Sequence, residues 1–252
     1  MINPVFDGVR RELDSWSANG LSARLWLRDD DAIAATPMLR QLLERCRSHE
    51  ISVLLAVIPM LADETLAAAM AHEPLAEVGV HGIRHRNHAP APRKAEELAL
   101  ERGQDDISTE LSAARDRLVR LFGQAAGRWY VPPWNRIAPD VAGWLPALGF
   151  ETLSAFGPAR LARDVGLIEA NTHLDIIDWK GGRTGRPLGW VASELARQLK
   201  FAREDGGRPV GILTHHLVHD AAAWQALDAI IAVTRDHPSV QWIKPSSLRP
   251  EP

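Results

Sequence analysis

Short apolar runs alternate with helical periodicities along most of the chain. Ala23 to Leu27 reads as a strand that ends in an acidic triplet, Asp29-Asp30-Asp31. Met38 to Arg47 has helical spacing, and Ile51 to Ile58 is a near-continuous apolar run stopped by Pro59. A strand covered on both faces needs such a run. Asp63 is placed to cap a helix reaching about Ala71. Ala76 to Val80 is another short strand, and it delivers His81. Ile107, Leu111, Ala114, Leu118 and Leu121 share one helix face, with Gly123 and Gly127 at its end.

The second half continues the alternation. Arg128 to Val131 predicts a strand running into Pro132-Pro133-Trp134, and Pro139 to Leu148 a helix ending at Gly149. Thr152 to Phe156 and Leu167 to Ile177 read as extended segments. A helix over Trp190 to Arg203 precedes a strand over Val210 to Leu213. A helix over Asp220 to Thr234 and a strand over Val240 to Ile243 complete the series. The first twenty residues predict a capping helix.

Strand-then-helix alternation argues for parallel strands with covering helices. Seven or eight such units in 252 residues match an α/β fold, a (β/α) barrel in one domain over 1–252. A doubly wound open sheet is the other architecture of this pattern. The acidic triplet, His81, Pro132-Pro133, Asp178-Trp179 and His215 each follow a predicted strand. In a barrel those strand ends form a single rim, where active sites are built.

Composition narrows the classes. The chain is 46% hydrophobic and 24% charged, as soluble globular proteins are. A formal net charge of -3 gives no basic field for a nucleic-acid partner. The one cysteine, Cys46, excludes an internal disulfide and fits a reducing compartment. The first residues lack the charged-then-apolar signature of a signal peptide, and no apolar stretch reaches the ~18 residues of a membrane helix. A cytoplasmic enzyme or binding protein without membrane association is the expectation.

The candidate chemistry centres on His81 and His85. On one helical turn, residues four apart face the same way, so both imidazoles would reach one ion. Two imidazoles and a carboxylate make the ligand set of a zinc site that keeps a position open for water. The helical zinc-protease motif needs a glutamate after its first histidine, and Gly82 stands there, which argues against that class. Adjacent carboxylates at a buried strand end are costly unless a cation or donor compensates, and the alternative is a solvated loop that caps the following helix. Two prolines in succession fix the backbone before Trp134, whose N–H is the first available to an oxyanion. Asp178 is suited to orient a histidine, and His215 to act as a general acid near neutral pH, with His216 and His219 as competitors. Trp134 and Trp179 are candidate walls of a substrate site, or packed core indoles.

Taken in order, these segments resemble the polysaccharide deacetylases, carbohydrate esterase family four, over about Leu25 to His216. The resemblance implies a distorted (β/α) barrel, a divalent metal, usually Zn2+, and removal of acetyl groups from N-acetylated or O-acetylated sugars. It makes Asp30 the base and Asp31 a metal ligand, although Asp29-Asp30 is also a possible register. His81 and His85 match the histidine motif, and Asp175, Asp178 and Trp179 match Asp-x-x-Asp-Trp. Leu213 and His215 match Leu-x-His. Pro132, Pro133 and Trp134 match the third motif, but Val131 replaces its arginine and Asn135 its glycine. Arg136 or Arg28 would have to supply the missing charge, and Asn135 and Arg136 join Trp134 and Trp179 as substrate-binding candidates. The expected partner is a small-molecule or oligosaccharide substrate. Two other functions fit the same residues. One is hydrolysis of another C–N bond in a small metabolite, such as a cyclic amide or ureide. The other is non-catalytic carbohydrate binding.

Overall fold

The computed structural model describes residues 3–161 and 165–248, so both ends of the domain expected over 1–252 lie outside the described residues. In chain order the elements begin with α1 (Asp7–Ala18), β1 (Ala23–Ala32), α2 (Pro37–Ser48), β2 (Val53–Val57), α3 (Glu64–Met70) and β3 (Ala76–His81). They continue with α4 (Gln104–Phe122), β4 (Trp129–Val131), α5 (Pro139–Trp144), β5 (Thr152–Leu153), β6 (Ile168–Glu169) and β7 (Thr172–Asp175). The last are β8 (Ile177–Asp178), β9 (Thr184–Gly185), α6 (Leu188–Glu204), β10 (Val210–Thr214), α7 (Ala221–Thr234) and β11 (Val240–Trp242). The principal sheet has the order β6-β5-β4-β3-β2-β1-β10-β7, with β11 also pairing β1, and β8 and β9 form a separate antiparallel ribbon. This is a distorted (β/α) barrel whose strand path has two ends. No helix among the described residues is long and apolar enough to cross a membrane.

The chain divides into two compact units. One holds the residues up to Asp29, Met38–Val53 and the chain from Thr172 onward. Here β1 and β10 pair in parallel from Leu25 opposite Val210 to Asp29 opposite Thr214. Gly211 leaves room for the Trp26 indole beside β10: a Cβ there would sit 2.7 Å from the ring and 2.8 Å from the Thr172 Cα. Along α1, Val9, Leu13 and Trp16 are buried, and Glu12 is tied to Arg203 of α6 at 2.7 Å.

The other unit holds Asp30–Pro37 and Leu54–Asn171. In it β3, β4, β5 and β6 pair in parallel. The helix starting at Asp63 forms as its sequence predicts, with the carboxylate accepting the Leu66 N–H at 3.1 Å. The helix expected to run from Pro139 to Leu148 does not run through. It stops at Trp144, and a 3-10 turn over Pro146–Leu148 follows, because Pro146 has no N–H and its ring crowds the preceding turn. The strand expected to end at Leu27 instead continues to Ala32 and carries the acidic triplet within it.

Two buried histidines set an acid limit on stability. His173 of β7 accepts the Gly211 N–H on Nδ1 at 3.1 Å, and burial with nearby Arg208 holds its pKa at about 3. Burial holds His219 at about 4. The unfolded chain binds these protons near pH 6.5, whereas the folded chain does not. Their stabilising contribution is therefore complete above pH 6.5 and is lost as pH falls toward 4 and 3. The loss amounts to at most ~1.4 kcal/mol per pH unit for each group. Urea unfolding at pH 7.5, 6 and 5 is expected to show this decline, with a slope shallower by about one proton in His173→Gln. A variant with the parent's slope would remove His173 as a source.

Candidate metal centre

Asp31, His81 and His85 come together within the second unit. Asp31 Oδ1 lies 3.1 Å from His81 Nε2 and 3.5 Å from His85 Nε2. One ligand atom from each of the three falls within 4.8 Å of the others. Donors about 2.0–2.2 Å from a tetrahedral ion stand roughly 3.3 Å apart, so both separations suit one shared cation.

The histidine pair does not sit on a helical turn. His81 is the last residue of β3, and His85 lies in the following loop at φ 57°. The chain turns back at Gly82, φ 61°, and a left-handed residue there is compatible with glycine but not with helix. Glu97, a buried residue that sequence reasoning missed, shapes the loop. Its Oε2 accepts the Ile83 N–H at 2.8 Å, and its Oε1 accepts those of Arg84 at 2.8 Å and Arg86 at 3.1 Å. In sequence it is the second of two glutamates in a polar stretch, which reads as solvated charge. Asp31 is likewise held at φ 70°, which turns the end of β1.

Hydrogen placement shows that the residues fit a cation. His81 Nδ1 lies 3.0 Å from the Val131 carbonyl oxygen, which can only accept, so Nδ1 carries the proton. In the neutral ring Nε2 then presents a lone pair to the Asp31 carboxylate. Two lone pairs facing each other repel unless a proton or a metal ion lies between them. Burial alone would push the His81 pKa down, but Asp30 and Asp31 outweigh it and hold it up. Positive charge is thus favoured in the place that suits a metal. His85 is pushed down, chiefly by burial and then by His81, the direction that favours a ligating ring. A backbone carbonyl that orients a ligand imidazole is a common support of metal sites.

Trp134 borders the same centre. Its ring centroid lies 4.4 Å from that of His85. The Asn135 N–H bonds the Pro132 carbonyl at 2.9 Å and the Arg136 N–H bonds that of Pro133 at 3.2 Å, with Trp134 left-handed at φ 53°. Beyond this turn is a cavity of about 490 Å³ whose lining includes Asn135, Arg136, Ile137, Phe156 and Asn171. Arg136 Nη1 donates to the Ala95 carbonyl at 2.9 Å. Asp30 and Arg28 are fully buried, and Arg28 precedes Asp30 by one pleat of β1, which places both on one face.

The remaining candidates belong to the first unit. His215 directly follows β10 and meets the Trp179 ring edge-on at 4.6 Å. The Trp179 indole N–H donates to Asp175 Oδ2 at 2.8 Å, whereas Asp178 lies beside Arg186 at 3.5 Å. Asp29 makes a buried ion pair with His216 Nδ1. Burial by itself would raise the Asp29 pKa, but His216, with help from Thr214, holds it below the usual carboxylate range.

No family model matches the chain, and no curated protein does either. Solved structures share its fold. A candidate polysaccharide deacetylase of Mycobacterium smegmatis is similar at a TM-score of 0.66 and 19% identity, over 91% of this chain and 89% of the other. A family 4 acetyl xylan esterase from Clostridium thermocellum, solved with a cobalt ion, is similar at 0.57 and 15% identity, over 89% of each chain. A family 4 carbohydrate esterase from Streptomyces lividans, solved with acetate, is similar at 0.56 and 15% identity, over 86% of this chain and 90% of the other. The chain therefore has the fold of the family 4 carbohydrate esterases.

Proposed function

We propose that the chain is a metal-dependent hydrolase, a divergent polysaccharide deacetylase whose single domain spans 1–252. It removes an acetyl group from an N-acetylated or O-acetylated sugar. The observation that carries this reading is the centre formed by Asp31, His81 and His85, in which a lone-pair nitrogen is aimed at a carboxylate oxygen. A divalent transition ion such as Zn2+, held by these three residues, supplies Lewis acidity to an acyl carbonyl and lowers the pKa of water. The similar esterase solved with a cobalt ion supports the metal, and the one solved with acetate supports the acyl group.

The chain's own residues do the rest. Asp30, next to the ligand Asp31, takes the proton of the attacking water. Arg28, on the same face of β1, replaces the motif arginine absent at Val131 and orients Asp30. The Trp134 N–H, presented by the Pro132-Pro133 turn, donates to the developing oxyanion. Trp134 walls the acyl group through its contact with His85. His215 protonates the departing amine, with Trp179 against its ring. The cavity beyond Trp134 takes the sugar, Asn135 and Arg136 offering polar contacts and Phe156 an apolar face. Its volume suits a small molecule or a short oligosaccharide.

The test is Asp30→Asn. Turnover of N-acetylglucosamine oligomers is expected to fall by at least ~10²-fold, the worth of a positioned base, while zinc stays near one per chain. An unchanged rate would remove Asp30 as the base. Loss of the metal together with the rate would make it a ligand instead.

A further inference from the structure

Asp29 is the member of the acidic triplet that the metal centre does not use. Its side chain is fully buried, as are Thr214 and His216. Asp29 Oδ2 accepts the Thr214 hydroxyl at 2.7 Å and the His216 N–H at 2.9 Å. Its Oδ1 accepts from His216 Nδ1. All three hydrogen bonds therefore fall on the two residues that flank His215. At His215 the chain leaves β10, with φ -143° and ψ 85°, and a 3-10 turn begins at His216. The residue is thus a pivot, and a single carboxylate grips the chain on both sides of it. On its ring side, Trp179 stands edge-on, its own indole N–H fixed by Asp175.

A buried carboxylate would be costly to keep here for packing alone, since an apolar residue could fill the same space. The direction of its hydrogen bonds indicates what it fixes. We propose that Asp29 is a positioning residue for His215, clamping Thr214 and His216 so that the imidazole between them is held where a leaving group takes its proton. The inference rests on the reading of His215 as the acid. A general acid must be held within hydrogen-bond reach of the departing atom, and a displacement of about 1 Å can cost ~10²-fold in rate.

Asp29→Asn keeps the volume but turns an amide toward the donors of Thr214 and His216. Thr214→Val removes one hydrogen bond with little change of shape. Both variants, and His215→Ala, are compared on N-acetylglucosamine oligomers and on 4-nitrophenyl acetate at saturating zinc. The ester's leaving group needs no proton, so a misplaced acid slows only the amide. Asp29→Asn is expected to lose ~10- to 100-fold on the amide and only a few-fold on the ester. Thr214→Val should lose less in the same direction, and it decides the matter alone if Asp29→Asn does not fold. Equal losses on the two substrates, with His215→Ala still selective, would overturn the positioning role and leave the acid intact. A non-selective His215→Ala would overturn the acid and the positioning role together. Independently of turnover, nitrogen-15 histidine spectra of the metal-free protein should show His215 shifted or broadened in Asp29→Asn. An unmoved His215 resonance would also overturn the clamp.

Discussion

Asp31→Ala is expected to abolish stoichiometric zinc binding while the far-ultraviolet spectrum stays that of the parent. The carboxylate Oδ1 is approached by both imidazoles, at 3.1 and 3.5 Å, so its loss takes away the oxygen the two rings share. Partners that only orient a metal ligand are worth ~10- to 100-fold in affinity, and a direct ligand is expected to exceed that. His81→Ala removes the buried, fixed ring and should have a similar effect. His85→Ala, in which a half-exposed loop residue is lost, should weaken binding less. Metal content after dialysis against a weak chelator reads all three. One ion per chain retained in Asp31→Ala would dismiss the site. Retention in His85→Ala alone would reduce it to a two-residue centre completed by water.

Gly82→Ala is expected to disable the same centre through the backbone. A Cβ at this position would lie 2.0 Å from Glu97 Oε2 and 2.4 Å from Pro133 Cγ, in a left-handed conformation that alanine disfavours. Pro133 belongs to a rigid turn, and Glu97 is engaged with three amides, so neither can move aside without breaking other bonds. The loop must then relocate and carry His85 with it. A stability loss of ~2–4 kcal/mol is expected from strain and lost burial together, with zinc affinity reduced at least ~10-fold. Thermal unfolding with and without zinc separates the two effects: the stabilisation that zinc gives the parent should largely vanish. A variant with parental stability and full zinc protection would show that the loop is not held as described.

Much of this was legible in the residues. The alternation of apolar runs and helical spacings is set by burial, and burial dominates the stability of such elements, so nearly every strand and helix falls where expected. Asp31, His81 and His85, which the resemblance named as donors, lie within 4.8 Å of one another, and their motifs at strand ends made that convergence legible. The loop geometry was not. The left-handed residues Asp31, His85 and Trp134 have no signature of the kind glycine provides, since each is held there by its surroundings. Glu97 was hidden because nothing in a Glu-Glu pair says which one turns inward. Asp29 looked like a spare for the same reason: its partners, Thr214 and His216, lie at the far end of the sequence. The early stop of α5, by contrast, was written in Pro146 and only needed a stricter reading of that residue.

The proton on His81 is anchored by a main-chain oxygen, that of Val131. A peptide carbonyl is supplied by any of the twenty amino acids. Exchanging the side chain at 131 therefore leaves the imidazole's tautomer untouched, as long as β3 and β4 stay in register. This separates two demands that a single motif combines: holding a nitrogen ready for a cation and supplying a positive charge nearby. A chain can give up the second at this position and keep the first, and so an altered signature need not mean a lost metal.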